Sequence, residues 1–255
     1  MRQVVCLVAG ALGAVGAQAT SAHVAPSDRE NNRYILLAPL GDRIRLAYTV
    51  YLGQVPGRQI RARMDADRDG RISDSEAQKY GDEIAAQAAP RLSLEVDGQP
   101  VAIQWHEVDV GLGQPVTAAG AFAVDLVAWI CLDQPRERLA HRVRLRDGFQ
   151  LPQPGESELR AEESPGVRIT RTQLGSGRTE TARLEYRWTG GPGPTEMDGY
   201  YLEFEVDPAL ATFAGACDEP DASGGDSAVP RVFVIAGLLA LGAAAWLVSR
   251  RRVRR

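Results

Sequence analysis

The sequence has few of the residues that build transition-metal and nucleophile sites, with Cys 3 and His 3 among 255 residues. His106-Glu107 has no second histidine at the spacing of a zinc-protease helix, and glycine-rich phosphate or dinucleotide loops are missing. Gly175-Ser176-Gly177 has neither the spacing nor the strand-turn-helix setting of a hydrolase nucleophile and predicts a hairpin turn. Acidic residues are numerous, but nothing singles out a catalytic pair among them. We therefore expect a protein that is not an enzyme.

Excess positive charge is also missing from the central part of the chain. The formal net charge is −4, but Arg2 and the six arginines from residue 231 onward lie in the terminal segments, so the remainder carries about −11. Because binding to phosphates needs a basic surface, this balance predicts no nucleic-acid partner. A net negative charge of this kind suits a protein that works outside the cell, where cations are plentiful.

The N-terminal segment 1–22 has the pattern of a secretory signal peptide. A charged start is followed by an apolar run at 4–15 and then by small residues. Cleavage after Ala19 or after Ala22 fits the pattern, and the second cut makes His23 the first residue of the mature protein. We expect the segment to be removed on export.

The C-terminal segment has the pattern of a membrane anchor. Residues 218–231 predict a flexible linker, 232–249 form an uncharged run long enough to cross a hydrocarbon core, and 250–255 are a basic tail. Basic residues beside a span stay in the cytoplasm, which predicts a single-pass protein of the cell membrane with its main domain outside, periplasmic or extracellular. The alternatives are a buried core helix and a sorting signal that is cut away.

Cys6 would leave with the signal peptide, so Cys131 and Cys217 remain as a possible disulfide in an oxidising compartment. Cys131 ends an apolar run and would equally fit as a small buried apolar residue. The sequence leaves both interpretations open.

Residues 65–76 combine residue type and spacing in a way that predicts an EF-hand-type calcium loop. Calcium takes six to eight oxygen ligands, and a twelve-residue loop between two helices supplies them from positions one, three, five, seven, nine and twelve. The residues at those positions are Asp65, Asp67, Asp69, Arg71, Ser73 and Glu76. The alternative is an Asp-rich surface turn that needs no metal.

Each loop position has its own expected role. Arg71 offers its backbone carbonyl, Ser73 its hydroxyl or a water, and Glu76 both carboxylate oxygens, while the other three ligands are aspartates. Gly70 permits the sharp turn at the sixth position, and Ile72 should face inward. No second loop of this type is present to pair with it, so we expect a weak site, about 10⁻⁴ to 10⁻³ M.

The remaining pattern predicts a mainly β protein of the α+β class, with an exported domain at 23–217 and a helix-loop-helix inserted at 56–89. Residues 43–52 alternate between apolar and polar as a half-buried strand does, with Arg43, Arg45 and Thr49 toward water. Asp97-Gly98 predicts a tight hairpin turn with a returning strand at 101–105.

Further strands are predicted near residues 33–37, 92–96, 122–132, 142–146, 157–162, 167–174, 181–188 and 200–206. Helices are predicted at 56–64 and 74–88. Many short strands with Gly and Pro between them favour an antiparallel, sandwich-like sheet.

Several of these features occur together in one known family. The segments are the His23 start, Asn32-Arg33-Tyr34, Asp42 to Leu46, the calcium-type loop and the Val96-Asp97-Gly98 hairpin. The combination resembles the exported N-terminal domain found ahead of some bacterial nickel/cobalt-type transporter and hydrogenase-accessory-like membrane proteins. The resemblance covers about residues 23–175 and implies an accessory or sensing role near metal uptake, since the multi-span transport region is missing.

Two functional hypotheses follow. The first is a membrane-anchored, extracytoplasmic domain that binds one calcium ion and acts as a structural or interaction module, with a protein partner in the cell envelope. The second is an accessory protein that handles nickel, cobalt or copper, using His23 as an N-terminal ligand, and acts with a separate transporter.

Overall fold

The computed structural model describes residues 28–132, 139–177 and 183–211. These residues belong to one compact unit and form two β-sheets whose inner faces contact each other. The predicted signal peptide, linker, span, basic tail, His23 and Cys217 lie outside the described residues. No helix within the described part is long and apolar enough to cross a bilayer.

The first sheet has six strands, and all neighbouring pairs in it are antiparallel except β1 with β8, which run parallel. Its order is β10 (Glu185–Thr189), β8 (Pro154–Ala161), β1 (Asn31–Leu40), β2 (Arg43–Leu52), β6 (Phe122–Cys131) and β5 (Glu107–Gly111).

The second sheet has five strands and is antiparallel throughout. Its order is β4 (Gln99–Val101), β3 (Leu92–Val96), β7 (Ala140–Asp147), β11 (Tyr200–Val206) and β9 (Val167–Leu174).

Strand β2 shows why the alternating pattern was informative. Its inward side chains are all 2% exposed or less and form the centre of the core between the sheets; they are Ile44, Leu46, Tyr48, Val50 and Leu52. Arg43, expected to face water, is instead buried beside Asp42, with Nε 3.0 Å from Oδ1. The neighbouring carboxylate allows this guanidinium to leave solvent.

The helical insert lies between β2 and β3 and consists of α1 (Gln54–Met64), the loop 65–76 and α2 (Asp74–Ala88), followed by a 3₁₀ turn (Ala89–Arg91). The predicted bounds of α2 are confirmed, and α1 begins two residues before the predicted start. A further short helix, α3, covers Pro194–Met197.

The Asp97-Gly98 turn is confirmed, since φ is 52° at Asp97 and 80° at Gly98, as a two-residue type I′ hairpin requires. The predicted returning strand at 101–105 is wrong beyond Val101, where pairing with β3 ends. The chain then crosses to the first sheet and forms β5, which was not predicted. The predicted antiparallel arrangement is confirmed in part, since both sheets are mainly antiparallel but β8 joins β1 in parallel after a long excursion of the chain.

Cys131 lies exposed at the end of β6 and is disulfide-bonded, so the interpretation as a small buried residue is wrong. The other two cysteines lie outside the described residues, and the pairing with Cys217 stays a prediction.

Candidate metal centre

The loop 65–76 is framed at its C-terminal end by the first turn of α2. Ser73 is the N-cap residue, and its hydroxyl accepts from the Glu76 N–H, while the Glu76 carboxylate accepts from the Ser73 N–H at 2.9 Å. This reciprocal capping box fixes where α2 begins. It also holds the Glu76 carboxylate over the start of the loop, where the Ala66 N–H donates to it at 2.7 Å.

The backbone of the loop folds around its own acidic side chains. Both oxygens of Asp65 accept backbone N–H groups, from Asp69 at 3.1 Å and from Gly70 at 3.0 Å. Gly70 has φ of +84°, a conformation that favours glycine, and Arg68 also lies in the left-handed region at 61°. The two left-handed residues curl the chain so that successive N–H groups point to its centre.

Three of the six predicted ligands are brought together by this curl. Oxygen atoms of Asp65, Asp67 and Glu76 all lie within 4.8 Å of one another. Asp69 is not part of this cluster and accepts from the Arg71 N–H at 2.7 Å, but it lines the same open pocket as Arg71, Ser73 and Glu76. All six predicted ligands thus lie on one short loop, and three carboxylates already converge.

The electrostatics of Glu76 favour its ionised form. The N–H and hydroxyl of Ser73 and the N–H of Ala66 donate to its carboxylate and hold its pKa below the ordinary value of 4.5. Glu76 therefore carries a negative charge near neutral pH, close to two further carboxylates. A cation is the natural partner for this arrangement.

The loop is paired along one side with residues outside the helical insert. Ile72 N–H donates to the Pro115 carbonyl at 3.1 Å, and Thr117 N–H donates to the Gly70 carbonyl at 3.1 Å, around an antiparallel bridge between Arg71 and Val116. The partner is the connection between β5 and β6 and not a second loop of the same type. A segment of the sheet connection occupies the pairing edge of the loop, and Ile72 beside it is 3% exposed.

This pairing decides the direction of the Arg71 carbonyl. Gly70 C=O and Ile72 N–H point to residues 115–117, so the N–H and C=O of Arg71 between them point the opposite way. The Arg71 N–H indeed donates to Asp69 inside the loop. The carbonyl at the seventh position therefore faces the acidic side of the loop.

Both helices of the insert pack on the β5/β6 end of the first sheet. A Cβ added to Gly81 of α2 would lie 2.8 Å from a Val110 methyl, which shows how closely the helix approaches β5. Tyr80 meets Phe122 edge to face at 5.8 Å, and Trp105 Nε1 donates to the Ala85 carbonyl at 3.0 Å. The apolar faces of the helices are thus already buried.

The two described histidines do not form a metal site. His106 Nδ1 accepts from the Trp129 N–H at 3.2 Å beside the first sheet. His141, on β7 of the second sheet, is 1% exposed, with Nδ1 2.8 Å from Asp97 and its ring stacked on Phe204. Within the described ranges, the only group of three or more potential metal-ligating His, Cys, Asp or Glu side chains is the one formed by Asp65, Asp67 and Glu76.

Comparison with known proteins assigns neither a family nor a function to the chain. No protein-family model matches the chain, and a search of curated proteins finds no similar sequence.

Two structural features next to the loop are not predicted by the sequence. They are Arg61, which is buried in α1, and the connection between β5 and β6 that pairs with the loop. The one available signal was the spacing of Gln54, Gly57 and Arg61, which places all three on one face of a helix. Nothing in the sequence of the connection itself predicts what it pairs with.

Proposed function

We propose that this protein is a membrane-anchored, extracytoplasmic domain that binds one calcium ion in the loop 65–76. The observation that carries the proposal is the convergence of the Asp65, Asp67 and Glu76 carboxylates within 4.8 Å on a loop with calcium-ligand spacing. Carboxylates held this close repel one another, and a divalent cation would offset that repulsion.

The remaining ligands follow from the loop geometry. Asp69 reaches the same pocket, and the Arg71 carbonyl faces the acidic side. Ser73 uses its hydroxyl to bond Glu76 at 2.8 Å, so at the ninth position we propose that it acts through a water. This set supplies oxygen atoms only, which suits calcium better than a soft transition metal.

The proposed role of the ion is structural. A calcium sensor opens its helix pair and exposes an apolar groove. Here Ile60 and Met64 of α1 and Ile84 of α2 are each at most 9% exposed. Opening the helices would break the core of the domain, so we propose that calcium stabilises the insert where it stands.

The terminal segments support the proposed location. The apolar runs at 4–15 and 232–249, with arginines beside them, favour export followed by anchoring in the cell membrane. A linker at 218–231 would let the domain reach a protein partner in the envelope. The ordered insert is the part that we propose to contact such a partner.

Calorimetric titration of the purified chain with calcium tests the proposal. We expect one site with a dissociation constant of about 10⁻⁴ to 10⁻³ M. Glu76→Gln should weaken binding at least about tenfold, because it removes one anionic oxygen of the closing ligand. Glu83→Gln removes the same charge from the exposed face of α2 and serves as the control. Absence of heat at millimolar calcium would refute calcium binding.

The alternative role in nickel, cobalt or copper handling depends on His23, which lies outside the described residues. Within them no histidine or cysteine joins a cluster of three possible metal-ligating side chains. Titration with nickel before and after chemical blocking of the mature amine separates the two hypotheses. Tight nickel binding abolished by the block would favour the accessory role.

A further inference from the structure

Arg61 is an unusual feature of the helical insert, because its side chain is 0% exposed and yet bonds no carboxylate among the described residues. All five of its N–H donors instead meet backbone carbonyls of a single stretch, residues 112–121, which we name the brace segment. Nε donates to Gly120 at 2.9 Å, and Nη1 donates to Gln114 at 2.7 Å and to Val116 at 3.2 Å. Nη2 donates to Leu112 and, at 3.3 Å, to Ala121.

This contact set fixes the conformation of the brace segment. A guanidinium has five N–H donors in a rigid plane, so five acceptors around it must take matching positions. The guanidinium also lies 5.1 Å from the centre of the Phe122 ring. Burial of such a cation is tolerated only because every donor is satisfied, and the loss of the side chain would leave five carbonyls to find other partners.

The brace segment contacts the proposed calcium loop directly. Its middle, residues 115–117, forms the bridge that turns the Arg71 carbonyl toward the acidic side chains. The Thr117 hydroxyl adds a second bond to the Gly70 carbonyl at 3.3 Å. Arg61 and the loop 65–76 thus hold opposite sides of the same short segment.

We propose that Arg61 is a positioning residue for the calcium site, which acts through the brace segment to hold the Arg71 carbonyl in ligand geometry. This inference rests on the proposed calcium function. It adds that Arg61 contributes to the calcium affinity of the loop. Groups that orient metal ligands without touching the metal typically change affinity by about 10–100-fold when they are replaced.

The direction in which replacing Arg61 changes the calcium affinity distinguishes a positioning role from a purely electrostatic one. Removing a positive charge near an anionic site strengthens cation binding, because the repulsion between the arginine and the metal is lost. Positioning predicts the opposite, since the ligand carbonyl loses its fixed direction. Arg63 is exposed on the same helix, two residues away. Arg63→Gln therefore removes the same charge as Arg61→Gln and serves as the matched control.

The test is calorimetric titration of the full-length wild-type, Arg61→Gln and Arg63→Gln proteins with calcium. We expect Arg61→Gln to bind about tenfold more weakly, and Arg63→Gln to bind as the wild type or slightly more tightly. Unchanged or tighter binding by Arg61→Gln, beside normal wild-type binding, would overturn the positioning role alone. Absence of wild-type binding would overturn the calcium function and, with it, this inference.

Thermal unfolding with and without calcium separates positioning from a general loss of stability. If Arg61 only stabilises the fold, Arg61→Gln lowers Tm equally in both conditions. Positioning predicts a smaller increase of Tm on calcium addition in the variant. Should Arg61→Gln fail to fold, Thr117→Val removes one bond at the other side of the brace segment. It should weaken calcium binding about threefold, and wild-type affinity there would overturn the proposal.

Discussion

Arg33 and Asp147 form an ion pair between the two sheets, with Nη1 2.8 Å from Oδ2 and both side chains at most 1% exposed. Tyr48 donates to the same oxygen at 3.0 Å, and Phe149 N–H donates to the other at 2.8 Å. Burial raises the pKa of Tyr48 well above 10, so its hydroxyl remains a donor. The network ties β1 and β2 to β7 at one point of the core.

Asp147→Asn should destabilise the fold by about 3–5 kcal/mol, because it leaves the Arg33 guanidinium buried without a counter-charge. Urea unfolding of the variant and wild type measures the difference. Replacing both partners with apolar residues, as Arg33→Met with Asp147→Leu, should cost less than the single change. A double variant less stable than Asp147→Asn would contradict this account.

Asp125 and Asp109 occupy directly opposite positions on β6 and β5. Burial raises the pKa of Asp125 above 3.8, although the Thr49 hydroxyl donates to it, and the charge of Asp109 raises it further. The folded state therefore binds this proton more tightly than the unfolded chain does. Its contribution to stability is largest below pH 3.8 and is lost as the pH rises through the raised pKa.

Asp125→Asn should stabilise the protein at pH 7 by about 0.2–1 kcal/mol, because the like-charge pair across the strands is removed. The advantage should shrink as the pH falls toward 3.8, where the wild-type carboxyl is protonated. Denaturant midpoints measured across this pH range check the prediction, with Asp109→Asn expected to give part of the effect. A difference that is constant with pH would contradict it.

At the scale of elements, α1 and the brace segment approach each other more closely than any side chain would allow. A Cβ on Gly57 would lie 2.5 Å from the Gly120 carbonyl oxygen. Gln54 lies on the same face of α1, and its Oε1 accepts from the Ala121 N–H at 3.0 Å. The glycine is therefore required by packing and not by the helix itself, which it weakens.

Gly57→Ala should destabilise the protein by about 1–3 kcal/mol, although alanine favours helix by about 1 kcal/mol, because the methyl group meets backbone that cannot move aside. Thermal or urea unfolding measures this change. The exposed Ala62→Gly, on the same helix, is the control and should cost only the intrinsic propensity. Stabilisation by Gly57→Ala would show that α1 can shift away from the brace segment.

In the described domain, the helical insert packs on the β5/β6 side of the first sheet and carries the acidic loop between its two helices. The core between the sheets is formed by strand residues such as Leu46, Leu126 and Leu145, which are all 0% exposed and belong to β2, β6 and β7 and not to the insert. Calcium should therefore affect the insert and the brace segment without changing the stability of the sheets directly.

Hydrogen exchange with calcium and with a chelator should show this local response. We expect slower exchange with calcium at residues 56–89 and 112–121, and little change in β2 and β11. Magnesium at the same concentration is the control, since the six proposed oxygen ligands suit calcium better than the smaller ion, which keeps several of its waters. Equal protection across the whole domain would contradict a local structural role.

Features that depend on local patterns could be predicted from the amino-acid sequence. Apolar alternation predicted β2, the Asp97-Gly98 pair predicted its hairpin, and the local composition predicted a helix at 74–88. The acidic spacing at 65–76 likewise singled out the loop on which the Asp65, Asp67 and Glu76 carboxylates converge, although calcium binding there stays a prediction. These signals are contained within a dozen neighbouring residues.

How those elements contact one another follows from the three-dimensional fold and could not be predicted. The parallel pairing of β1 with β8, the switch of the chain into β5 and the brace segment all join residues far apart in sequence. The burial of Arg61 runs against the preference of an arginine for solvent, and only a cage of five distant carbonyls makes it stable. Such contacts leave no periodic trace, because backbone carbonyls are the same in every residue.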